Sequence, residues 1–77
     1  MPVEVVPGVT ADAEVAFGKP VIASTRIPAA QVLSQLAGGM SADEIQAEYD
    51  LTPAQIQATL RYAAWLAEHE VIRAHAG

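Results

Sequence analysis

The chain has 77 residues and no cysteine, so a single small domain is expected. A disulfide framework, a thiolate zinc site and a cysteine nucleophile are excluded together. A formal charge of −5 argues against a general polyanion binder, and no run of about 18 apolar residues is present to span a membrane.

Composition changes along the chain. Six of the eight valines precede residue 22, whereas twelve of the sixteen alanines follow residue 28. Valine favours strands and alanine favours helices. The division predicts a β-containing N-terminal arm over residues 1–26 and a helical body over residues 27–77, together one domain. The first strand is expected at Val3-Glu4-Val5, where apolar and polar residues alternate before Pro7-Gly8. A second is expected at Val21–Ser24, after the turn Gly18-Lys19-Pro20. Met1-Pro2-Val3-Glu4 has neither a basic nor an apolar leader, so a cytoplasmic protein is the default.

Helix one is predicted to begin with Pro28 at its first position. Val32, Leu33 and Leu36 form its apolar stripe with Ala29 at the edge, and Gly38-Gly39 ends it. Ser41-Ala42-Asp43-Glu44 then reads as a capping box, with Met40 and Ile45 as a hydrophobic staple. The same grammar returns eleven residues later in Thr52-Pro53-Ala54-Gln55, stapled by Leu51 and Ile56. Helix two is therefore predicted over 42–49 and helix three from Pro53 to at least Glu68.

A short helix, a tight turn and a longer helix outline a helix-turn-helix, with Ile45, Tyr49, Leu51 and Ile56 as its core. Two residues depart from that outline. Asp50 stands where glycine is common, and Gln46 where a small residue usually packs. An ordinary three-helix cluster fits the same pattern. Helix three carries two apolar stripes, one through Ile56, Leu60, Ala63, Ala67 and Val71, the other through Ala58, Tyr62, Trp65 and Ile72. A surface helix needs one. Either the second stripe packs on another chain, making a homodimer, or the N-terminal arm folds back over it.

Catalytic parts are missing from the sequence. His69-Glu70 begins a zincin-like motif, but Arg73 occupies the second histidine position. Pro20 follows Lys19 where a phosphate-binding loop needs serine or threonine. The expectation is no enzyme activity, no metal and no cofactor. As a DNA reader, helix three would expose Ala54, Gln55, Gln57, Ala58 and Arg61, with Gln55, Gln57 and Arg61 facing bases. Against this, the chain has four fixed cations, and Asp43, Glu44 and Glu48 lie on the preceding helix. Arg26 is expected either to touch a phosphate or partner carboxylate, or to tie the arm to acids of the body. Lys19 is expected to be solvated.

The stretch Gly18-Lys19-Pro20-Val21-Ile22-Ala23-Ser24-Thr25-Arg26-Ile27-Pro28 resembles the signature of the bacterial family called domain of unknown function 433. Gly18, Lys19, Pro20, Thr25 and Arg26 carry the match. It continues in order through Gly39-Met40-Ser41, Glu44-Ile45, Tyr49, Leu51-Thr52, Ile56 and Tyr62-Ala63, covering about residues 15–66. Ser24 departs from the usual glycine. The resemblance implies a mainly α fold, with a short N-terminal β element and a three-helix, homeodomain-like helix-turn-helix bundle. It implies an antitoxin of a type II toxin–antitoxin pair that neutralises a PIN-like ribonuclease, often as a homodimer, with many members repressing their own operon at operator DNA. Tyr62, Trp65, Val71, Ile72 and Arg73 would then bind the partner, Arg73 by pairing with a metal-binding carboxylate of the toxin. A frayed terminal turn is the alternative for 71–73. A homodimeric interaction module without a DNA role, or a plain transcription regulator, remain the rival readings.

Overall fold

The computed structural model describes residues 1–70. In chain order they form β1 (Val3–Val6), β2 (Val9–Ala11), a 3-10 turn (Ala16–Gly18), β3 (Val21–Ile22), α1 (Ala29–Ala37), α2 (Ala42–Tyr49) and α3 (Pro53–His69). The strands make one antiparallel sheet in the order β1-β2-β3. Val3 faces Ala11 and Thr10 faces Val21, with a register shift between Glu4 and Val6. The architecture is thus three helices with a short N-terminal three-stranded sheet, mainly helical as expected.

The two helix junctions are built alike. At the end of α1, Gly39 is left-handed at φ 106°, Met40 N–H donates to the Gln35 carbonyl and Gly39 N–H to that of Leu36. This is a Schellman closure. At the end of α2, Asp50 takes the left-handed position at φ 55°, and Leu51 N–H donates to the Gln46 carbonyl. A short polar side chain tolerates that conformation better than most, so Asp50 does what the expected glycine would do. Met40 and Leu51 each serve twice, closing one helix and stapling the next. Both packing positions lead into one cluster, formed by Ile22, Val32, Ile45, Leu51 and Ile56 with Met40 and Tyr49 against it.

Both capping boxes are present. Glu44 N–H donates to Ser41 Oγ and Ser41 N–H to Glu44 Oε1; Gln55 N–H donates to Thr52 Oγ1 and Thr52 N–H to Gln55 Oε1. The Ser41 backbone N–H, then its hydroxyl, hold the Glu44 carboxyl below the ordinary glutamate value. A lowered folded value means the contribution is present above the unfolded pKa and is lost as pH falls through the folded one. In thermal melts followed by circular dichroism, Glu44→Gln is expected to flatten part of the acid limb below about pH 4.5. An acid limb identical to wild type would count against the box.

The structure corrects the predicted arm. The segment from Val9 to Ala11 is a strand the sequence reading missed, and the strand expected over Val21–Ser24 stops at Ile22. Ser24 is left-handed at φ 66°, inside a turn tied by Thr25 Oγ1–H donating to the Ile22 carbonyl and accepting from Ile27 N–H. Serine therefore occupies a conformation that glycine adopts without steric cost. Pro28 is extended at ψ 133° and caps α1 from outside, because Ala29 N–H donates back to the Pro20 carbonyl.

The sheet is not an appendage. Val6 and Val9 share a cluster with Ala29, Ala58 and Tyr62, against which Val5, Leu33 and Trp65 pack. Ile22, fully buried, belongs to the helical cluster instead. Residues before and after position 26 therefore share both clusters.

Candidate functional site

The α3 residues expected to read DNA are differently occupied. Gln55 is half-buried and its Oε1 is held by the Thr52 N–H, 2.8 Å away. Arg61 is exposed but donates through Nη1 to the Pro7 carbonyl at 2.8 Å, clamping the β1–β2 turn onto α3. Gln57 is exposed, and no hydrogen bond among the described residues holds it. Ala58, expected on the surface, is 5% exposed because Gly8 of that turn lies on it. The acids Asp43, Glu44 and Glu48 are all exposed on α2.

Loss of the Arg61 clamp has a measurable cost. Arg61→Ala is expected to lower stability by roughly 1 kcal/mol, the scale of a single partly solvated hydrogen bond to a charged donor. Urea unfolding checks it; an unchanged midpoint would show that the contact contributes nothing.

The aromatic residues form a ladder along the second half of α3. Tyr62 and Trp65 have centroids 6.3 Å apart, and Trp65 and His69 4.4 Å apart with ring planes 27° off parallel. His69 Nδ1 lies 2.7 Å from the Trp65 carbonyl, which as an acceptor requires the proton on Nδ1. Tyr62 is buried beneath the sheet, so its ring is not offered to a partner, while Trp65 is half-buried against the same cluster. The arm has folded back over this stripe. What remains outside on α3 is Leu60, 44% exposed, and Leu66, with exposed Ala64 and Ala67. Leu60 was expected in an apolar stripe with Ile56, yet only Ile56 is enclosed. Val71, Ile72 and Arg73 lie outside the described residues.

The signature segment is a pair of turns at opposite ends of β3. Gly18 is left-handed at φ 81°, Lys19 is exposed and Pro20 supplies the carbonyl that receives α1. Thr25 organises the second turn, and Arg26 is displayed at its tip, exposed. Among the described residues no ion pair holds Arg26, so its expected role as a tie between arm and body is not what the structure shows. No group of three or more metal-ligating side chains occurs among the described residues, and no helix among them is long and apolar enough to cross a membrane.

Comparison with known families matches residues 9–63 to the one described as Protein of unknown function (DUF433). The chain belongs to that family. Among curated proteins and among solved structures, none matches it. The match takes in both capping boxes, the signature turns and the first part of α3. It leaves out β1 and the Trp65–His69 stack, whose Val5 and Trp65 pack against the same cluster. One surface residue inside this family segment escaped the sequence reading. Phe17 is 99% exposed, and nothing in its spacing distinguished it from a core aromatic.

Proposed function

We propose that this member of the DUF433 family is a cytoplasmic antitoxin of a type II toxin–antitoxin pair, binding and masking a PIN-like ribonuclease without catalytic activity of its own. Family membership over residues 9–63 carries the reading. Charge supports it: a surface of net −5 with Asp43, Glu44 and Glu48 outward is steered toward the basic groove of an enzyme that grips RNA. Leu60, Leu66, Ala64 and Ala67 on α3 supply the apolar side of a homodimer contact.

The α2–turn–α3 outline supports a homeodomain-like helix-turn-helix, and with it repression at operator DNA. Gln55 and Arg61 are engaged inside the chain, leaving Gln57 to meet a base. That observation favours, as a second reading, a protein-binding module whose helix-turn-helix is architecture only. Co-expression separates them from no antitoxin role at all. The adjoining reading frame should encode a ribonuclease that arrests growth alone and is silenced by this chain; its absence, or continued arrest, would sink the antitoxin reading. A mobility shift on the upstream DNA, with and without the ribonuclease, decides between repressor and pure binding module.

A further inference from the structure

The loop between β2 and β3 is anchored where Thr10 pairs with Val21. Within it Glu14 N–H donates to Asp12 Oδ1, Val15 N–H to the Asp12 carbonyl, Gly18 N–H to the Val15 carbonyl and Lys19 N–H to the Ala16 carbonyl. This ordered frame holds Ala16, Phe17 and Gly18 successively left-handed, at φ 50°, 58° and 81°. Left-handed backbone disfavours alanine and, more strongly, a bulky residue such as phenylalanine. The Phe17 ring lies outside both core clusters, 99% exposed. Folding thus bears the cost of the backbone and of the bare ring, and the ring joins neither core cluster in return. Strain of this kind, observed at a displayed side chain, points to a use outside the fold.

Charge decides what the ring can meet. A base stack would need a cationic groove, and an anionic bilayer would need a basic rim. Here Glu14 is exposed three residues before the ring, Asp12 lies deeper in the same loop, and the chain is −5, with Lys19 as the loop's one cation. A second copy of this chain offers no cavity among its described residues to receive a phenyl ring. We propose that Phe17 is the anchor of a protein-docking loop, entering an apolar pocket rimmed by basic side chains on the partner. Resting on the antitoxin reading, this makes the ribonuclease the bearer of that pocket and the loop a contact separate from α3. A rigid aromatic presented in its bound conformation suits such a role, since little freedom is lost on docking.

Calorimetric titration of the 77-residue chain into the adjoining-frame ribonuclease, inactivated at its metal carboxylates, tests it. Phe17→Ser and Phe17→Gly are expected to bind about 30-fold more weakly or worse, the range of a hot-spot anchor. Phe17→Trp should retain binding, and Phe17→Gly should melt no lower than wild type. Binding of both truncated variants within threefold of wild type would overturn this proposal alone. Absence of wild-type binding would overturn the antitoxin reading and this with it. The proposal also fails if wild type, but not Phe17→Ser, binds poly-uridine RNA or phosphatidylglycerol vesicles, or if Phe17→Ser abolishes self-association in sedimentation.

Discussion

Gly8→Ala is expected to destabilise the protein by about 3 kcal/mol, combining overpacking with a left-handed backbone penalty. A Cβ at Gly8 would stand 2.5 Å from the Ala58 Cβ, and the φ of +91° already disfavours any L side chain. Neither partner yields easily, because Ala58 sits within the 17-residue helix α3 and Gly8 is pinned by Arg61 holding the Pro7 carbonyl next to it. Native stability of a chain this size is roughly 4–11 kcal/mol, so about a quarter to three quarters of the margin is at stake. Urea unfolding measures the loss. Ala58→Gly tests its origin. It removes the colliding atom, so the double variant should be more stable than the sum of the two single losses, although glycine costs about 1 kcal/mol in a helix. Strict additivity would refute the steric account.

Ile22→Ala is expected to cost about 3 kcal/mol, within the usual range for emptying a fully buried isoleucine site. Ile22 is the one strand residue of the cluster that joins α1, α2 and α3 through Val32, Ile45, Leu51 and Ile56. The consequence extends beyond one side chain. A fragment of residues 27–77 lacks Ile22 and also the valines that cover Ala29, Ala58 and Tyr62. It is expected to show little cooperative melting by circular dichroism. A sharp transition near that of the full chain would mean that the helices carry the fold unaided.

These effects show which parts of the fold can be read from sequence. The capping boxes at Ser41–Glu44 and Thr52–Gln55 are legible because every bond in them spans three residues. So are the bounds of α2. The β2 strand is hidden because it has three residues and begins directly after Pro7-Gly8, a pair that otherwise signals a break. Arg61 reads as a surface cation ready for DNA because its acceptor, the Pro7 carbonyl, lies 54 positions away. Tyr62 and Leu60 exchange their expected places for a related reason. Periodicity reveals two apolar faces on α3, but the returning hairpin decides which is enclosed. Phe17 is the opposite case, a large apolar residue on which the sequence is silent and which the loop holds in solvent.

The indole packed against the sheet-side cluster gives the fold an optical readout. Trp65 is the sole tryptophan, half-buried at the edge of the sheet-side cluster. Its emission reports the cluster that Val6 and Val9 share with Ala29, Ala58 and Tyr62, whereas Ile45 is buried in the other. Because arm residues sit in both clusters with the helices, that fluorescence is expected to redden together with the loss of the far-ultraviolet helix signal, and a single cuvette can show the two halves parting as one.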